Sequence, residues 1–340
     1  MINTNPPKIS IIVAVFNAET TLRRCLDSLR VQTLRDIEII IVDDGSTDSS
    51  WSICQEFENT DKRFKSFHKK NEGVSATRQF GLQKSHGQYI IYLDSDDYVL
   101  PNAYQAFYDC TSEGKTDIVY SAFRLITHSG VSTIDTKIPR CDTKKMLDDT
   151  IYYNRGFLWN HLIRRELITE LEVSFPSNMQ FGEDQFFLIS LLNKCLVFGH
   201  SLSITFLETA YICYDKTANE NSLSSLETKK RSEAKYYWWT ETGKIIDNRF
   251  AGKSYYSVLV KDAFLLFWNK ILTKEEFGLR YNPHYQSIKK YARFSDRKYL
   301  VLLACNGRYD LAHHFRWICT PSIIKDRIDQ FLYRINNRPF

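Results

Sequence analysis

Residues 89–97 read Tyr89-Ile90-Ile91-Tyr92-Leu93-Asp94-Ser95-Asp96-Asp97, an apolar run of strand length that ends on three carboxylates within four positions. An unbroken apolar run suits a strand buried on both faces, as in a parallel sheet with helices packed on either side. In an open α/β sheet, ligands bind outside the carboxyl ends of the strands, so carboxylates delivered there suit a hard cation and the oxyanion that it neutralises. On an extended segment positions i and i+2 point to one side, which places Asp94 and Asp96 together. Like charges at that density are costly unless a cation compensates them.

Upstream, Ile9-Ser10-Ile11-Ile12-Val13-Ala14-Val15-Phe16 is another mostly apolar, β-branched run, and it precedes a helix with Leu22, Cys25, Leu26 and Leu29 on one face. Ile37-Glu38-Ile39-Ile40-Ile41-Val42 repeats the strand and leads through Asp43-Asp44-Gly45-Ser46-Thr47-Asp48 into a helix carrying Trp51, Cys54 and Phe57. A strand at 117–120 continues the series. Such alternation predicts an α/β fold with a parallel sheet and helices on its faces. Residues 126–150 are polar, contain Gly130 and Pro139, and predict a loop or small hairpin. From about 151 the pattern is helical with short extended pieces, and from 228 onward helical.

With 340 residues and 43% hydrophobic content, the chain has material for one large or two medium cores. Its eight cysteines show no C-x-x-C spacing and no grouping with histidine, which argues against zinc and a disulfide framework and for a reducing, cytoplasmic compartment. Residues 1–7 lack the apolar core of a signal peptide, and no stretch reaches the ~18 apolar residues of a spanning helix. The net charge of +5 hides an asymmetry: residues 230–340 hold 21 Lys/Arg against 10 Asp/Glu, whereas residues 1–229 sum to −6. The basic part is also aromatic, with Tyr236-Tyr237-Trp238-Trp239 and Phe264-Leu265-Leu266-Phe267-Trp268, a character that suits either an anionic membrane surface or an ordinary helical core. Residues 323–334 carry apolar positions 324, 328, 331 and 332 at helical spacing beside several cations. No nucleic-acid-binding signature accompanies the charge.

Three further pieces accompany the carboxylate cluster. Ala14-Val15-Phe16-Asn17 ends the first strand, where the crevice begins. Asp43-Asp44-Gly45-Ser46 ends the second, where a carboxylate accepts from a base N–H or a ribose hydroxyl and glycine permits the tight turn. Asn71-Glu72-Gly73-Val74-Ser75-Ala76-Thr77-Arg78 runs from a loop into a helix whose N–H groups and guanidinium suit a diphosphate. Taken singly, each has a plain explanation as core, turn or helix start.

In this order and spacing the four pieces resemble the family 2 glycosyltransferases, inverting enzymes of the GT-A fold; the resemblance is strong over 8–125 and thinner to about 225. It implies a nucleotide-sugar-binding, Rossmann-like sheet domain followed by a mainly helical C-terminal region, divided as a donor half at 1–125, an acceptor half with the base at 126–227, and a basic helical region at 228–340. It further implies a UDP-sugar donor bordered by Ala14 and Phe16, bound by Asp44 and Arg78 and by the Asp94-Ser95-Asp96 motif. Asp96, with Asp94, would hold Mn²⁺ or Mg²⁺. Phe181-Gly182-Glu183-Asp184 fits the family's Glu-Asp motif, with Asp184 as the base and Glu183 and Trp159 on the acceptor side. Tyr214…Asn221-Ser222-Leu223 resembles the closing loop, but Asp215-Lys216 stands where arginine is usual. The acceptor expected is a saccharide or lipid-linked saccharide of a cell-surface polysaccharide, reached from the inner face of the membrane. Two alternatives are a phosphatase of the haloacid-dehalogenase type, which places its Asp-x-Asp at the first strand, and a catalytically silent partner in a polysaccharide-synthesis complex. A dinucleotide oxidoreductase is excluded because no G-x-G-x-x-G follows the first strand.

Overall fold

The alternating strands close into a sheet. The computed structural model describes residues 6–153, 156–179, 181–217, 228–268, 271–292, 296–305, 309 and 312. Strands β1 (Ile9–Val15), β2 (Ile37–Asp43), β3 (Phe64–His68) and β4 (Tyr89–Asp94) lie parallel in the order β3-β2-β1-β4. They are joined by α1 (Leu22–Arg30), α2 (Ser50–Thr60) and α3 (Val74–Lys84). The expected strands and first two helices are present, and Leu22, Cys25, Leu26 and Leu29 are fully buried. β3 is an addition: Phe-Lys-Ser-Phe-His at the sheet edge buries only Phe64 fully, so it carries none of the apolar density that marks β1, β2 and β4.

Beyond β4 the sheet stops being parallel, which corrects the expectation of a parallel series. After β5 (Tyr98–Val99) and α4 (Ala103–Asp109) come β6 (Ile118–Thr127) and β7 (Gly130–Ile134), a hairpin where a loop or hairpin was expected. Then follow α5 (Thr143–Tyr153), a single 3₁₀ turn at Leu158–Asn160, β8 (His161–Arg164), α6 (Arg165–Glu170), α7 (Glu183–Phe198) and β9 (Ile204–Asp215). β8 inserts antiparallel between β4 and β6, and β9 runs parallel to β6 and antiparallel to β5. The complete order is β3-β2-β1-β4-β8-β6-β9-β5, with β7 on β6. A four-residue strand has too short a period-2 pattern to stand out in sequence.

One face of the sheet is closed by alternate residues of β1 (Ile9, Ile11, Val13, Val15) packing with α1 and with Cys54 and Phe57 of α2. On the other, Tyr92 meets Phe175 and Phe187 edge-on. Each such large apolar side chain stabilises the fold by roughly 1.5–3 kcal/mol on full burial.

The chain divides into the units Met1–Ser222 and Leu223–Phe340. The second contains α8 (Thr228–Ile245), α9 (Gly252–Trp268), α10 (Lys274–Tyr281), α11 (Tyr285–Tyr291) and α12 (Asp296–Cys305), so its helical expectation is met as far as it is described. Trp238 and Trp239 are each 3% exposed, and the Trp239 indole N–H donates to Asp262 at 2.8 Å. No helix among the described residues is long and apolar enough to cross a membrane. The expected helix at 323–334 lies outside the described residues.

Candidate active site

The parallel strands end in register: Val15 lies beside Asp43, Asp43 beside His68, and Ala14 between Val42 and Asp94. Half-buried Ala14 thus floors the crevice between two carboxylate-bearing strand ends. Phe16 is 51% exposed just past β1, and Asn17 follows at a positive φ of 48°. That turn is held by the loop after β2: the Asn17 N–H donates to Ser46 Oγ at 2.9 Å, and the Asn17 carboxamide oxygen accepts from the Thr47 N–H at 2.8 Å. A large apolar ring is therefore presented to solvent by a braced turn.

Asp43 is fully buried and binds the Ser46 hydroxyl and His68 Nδ1, a structural role within the turn. Asp44, 4% exposed, accepts from Lys69 Nζ and from the N–H groups of Glu72 at 3.0 Å and Gly73 at 2.8 Å. The carboxylate is thereby held in place beside the N-terminus of α3. Gly45 makes this possible: at φ 75° a Cβ there would lie 2.9 Å from the Asn71 N.

Asp94, Asp96 and Asp97 each offer a carboxylate oxygen, and these atoms lie within 4.8 Å of one another around the half-buried Ser95. Asp97 is fully buried; its Oδ1 accepts from the Asp215 N–H at 2.9 Å, and its Oδ2 has no hydrogen-bond partner. Burial pushes the Asp97 carboxyl well up, and the charges of Asp96 and Asp94 push it further. A hard, all-oxygen set under mutual repulsion fits Mn²⁺ or Mg²⁺.

Across the site, Gly182 in the left-handed conformation (φ 75°) starts α7 and brings Glu183 and Asp184 into its first turn. Burial and the Glu183 charge raise the Asp184 carboxyl to about 7, while Arg78 pulls it down. Glu183 is buried and bonded to Arg78 Nη1; Arg78 Nη2 donates to Asp94 Oδ1 at 2.7 Å. Arg78, expected at the donor, is itself 6% exposed, and its two terminal guanidinium nitrogens face protein carboxylates.

Trp159 and Glu183, expected on the acceptor side, present little surface. Trp159 is 3% exposed, with its ring stacked on Phe157 and Tyr214, and Glu183 turns inward to Arg78.

Sequence reasoning passed over Arg24, whose Nη1 donates to Asp215 at 2.5 Å and whose Nη2 donates to the Asp96 carbonyl at 2.7 Å. It sits on the polar side of an amphipathic helix, where nothing distinguishes it from a solvated cation. Asp215, at the position where an arginine was anticipated, anchors the end of β9 to the acidic turn. Asn221, Ser222 and Leu223 lie outside the described residues. The Asp-x-Asp stands at the end of the fourth strand, not the first as in the phosphatase alternative.

The profile of the family described as Glycosyl transferase family 2 matches residues 10–170. EpsH of Bacillus subtilis is 38% identical over 188 residues, 53% of this chain and 54% of that protein. An uncharacterized glycosyltransferase of Haemophilus influenzae is 32% identical over 207 residues, covering 58% of this chain and 78% of that one. This chain thus spans about half of the first relative's length and over three quarters of the second's. Among solved structures, residues 1–349 of TarS from S. aureus in complex with UDP-GlcNAc superpose with a TM-score of 0.69 at 19% identity, covering 89% of this chain and 88% of that one, so the two share a fold.

Proposed function

The chain belongs to glycosyltransferase family 2, and we propose that it transfers a hexose or N-acetylhexosamine from a UDP-sugar, with inversion, to a saccharide or lipid-linked saccharide in cell-surface polysaccharide synthesis. The carrying observation is the linkage of two acidic centres at one end of the sheet: the Asp94/Asp96/Asp97 cluster and, through Arg78, the Glu183–Asp184 pair. That a protein of the same fold binds UDP-GlcNAc supports the choice of donor.

In this reading residues 1–125 form the donor half, 126–227 the acceptor half, and 228–340 a basic region that holds the enzyme against the inner face of an anionic membrane. The exposed ring of Phe16 and the floor at Ala14 border the base, and the fixed carboxylate of Asp44 accepts its N–H. The turn Asp94-Ser95-Asp96 faces the diphosphate. Asp96 and Asp94 would hold Mn²⁺ or Mg²⁺, whose positive charge would offset that of a departing diphosphate. Asp184 takes the proton from the acceptor hydroxyl as that oxygen attacks the anomeric carbon from the face opposite the leaving group. A carboxyl raised to about 7 suits a base at neutral pH, since efficient proton transfer needs a pKa near the working pH. Trp159 and Glu183 shape the acceptor side from beneath.

A panel of UDP-, GDP- and dTDP-sugars with and without Mn²⁺, read by donor hydrolysis and thermal shift, tests the proposal. Stabilisation and turnover with UDP-sugars in the presence of Mn²⁺ is expected. Stabilisation without any turnover would instead indicate a silent partner.

A further inference from the structure

Arg78 stands buried between Asp94 and Glu183, and its helix is pinned at three successive points to the segment that carries the acid pair. Ser75 Oγ donates to the Met179 carbonyl at 2.8 Å, Arg78 Nη1 to Glu183, and Gln79 Oε1 accepts from the Phe175 N–H at 2.9 Å. Positions 75, 78 and 79 share one face of α3, so that face is a brace against Phe175, Met179 and Glu183. An adjoining side of the same helix sits tightly on the sheet, where a Cβ at Gly81 would come within 2.4 Å of Ile12 Cγ2. α3 is thus seated on β1 and on β2, the strand that leads to Asp44, while its Arg78 reaches Asp94 and Glu183.

We infer that Arg78 is a positioning residue: it sets the distance and orientation of the Glu183–Asp184 pair relative to Asp94, and its function runs through Glu183 instead of through the nucleotide sugar. A planar guanidinium with two parallel donor edges can bridge two carboxylates in a fixed geometry, which a lysine cannot. Its position 6% exposed between Asp94 and Glu183 leaves the donor diphosphate to other groups. A buried Glu183 without this partner either holds an uncompensated charge or takes up a proton, and in both cases Asp184 beside it loses its register. The inference rests on Asp184 being the base.

A double-substitution cycle on the full chain separates the roles. Arg78→Lys, Glu183→Gln and the pair Arg78→Met/Glu183→Gln are measured beside Arg78→Met for kcat, for donor KM and for UDP affinity by calorimetry. Arg78→Met is expected to lower kcat at least tenfold while UDP affinity changes less than threefold. Arg78→Lys should rescue little, and adding Glu183→Gln to Arg78→Met should cost far less than it does in the wild type, because both act through one contact. A large loss of UDP affinity in Arg78→Met, or independent effects of the two substitutions on kcat, overturns the inference. If Arg78→Met fails to fold, Arg78→Lys and Glu183→Gln decide it: unchanged kcat in both overturns the positioning role. A wild type that turns over no donor overturns the functional reading itself, which is a different result from an active wild type with a donor-binding Arg78.

Discussion

At the residue scale two carboxylates carry separable predictions. Asp96→Asn replaces a hard anionic ligand by a neutral amide within the Asp94/Asp96/Asp97 cluster, so turnover with Mn²⁺ should fall more than ~10-fold with the melting temperature little changed. Retention of turnover above about a tenth of wild type would falsify the metal role. Asp184→Asn should lower kcat by roughly 10²–10⁴ with UDP affinity preserved, because a base acts in the transition state. Its pH dependence has a definite sign. The folded-state value of about 7 lies above the ~3.9 of an unfolded aspartate. The group therefore contributes stability below the unfolded value and loses that contribution as pH rises through about 7. Activity moves oppositely, since the base must be deprotonated: kcat/KM should fall as pH drops below about 7, with an apparent value that belongs to the coupled Glu183–Asp184 pair. A pH–rate profile without an acidic limb in that range would remove Asp184 from the role.

At the scale of elements, what was legible in the sequence followed apolar density. β1, β2 and β4 announce themselves because both faces are buried, and α1 because Leu22, Cys25, Leu26 and Leu29 recur at helical spacing. β3 and β8 were not legible, since an edge strand with one fully buried residue and a four-residue insert carry no usable period. The site shows the same division: Asp44, Asp94 and Asp96 could be read because each ends a legible strand, whereas Arg24 and the inward turn of Glu183 depend on which helix faces which. α3 illustrates how tertiary contact overrides propensity. Gly81 should cost helix stability, and Gly81→Ala would ordinarily gain up to ~1 kcal/mol. Here the added methyl would lie 2.4 Å from Ile12 Cγ2, which is fully buried. Overpacking of about 1–3 kcal/mol should win, so urea unfolding should show a lowered midpoint. A raised midpoint would show that α3 can step away from the sheet.

At the scale of the whole molecule, charge and core are distributed unequally. The hydrophobic cluster around β1 draws all its residues from the unit Met1–Ser222, so that unit has its own core. The aromatic run that sequence alone left open between membrane and core is largely internal to the second unit, with Trp238 and Trp239 each 3% exposed and Tyr255 and Tyr281 buried. Independent of those described aromatics, the sequence offers a membrane the cationic excess of 21 Lys/Arg against 10 Asp/Glu over residues 230–340. Near an anionic surface each Lys or Arg adds on the order of 1 kcal/mol, screened within a Debye length of about 8 Å at physiological salt. Membrane association of this kind is therefore expected to be electrostatic, carried by the second unit and reversible by salt. Co-sedimentation with vesicles containing about a third anionic lipid tests it, using the full chain and a chain ending at Ser222. The full chain should pellet at low salt and return to the supernatant at roughly 0.5 M salt, where screening shortens the reach of each charge. The shorter chain, with the acidic balance of the first unit, should stay in the supernatant while still melting cooperatively. If the full chain also stays in the supernatant at low salt, the basic excess serves solubility or a soluble anionic partner, and lipid-linked acceptors must be brought to the site by other means.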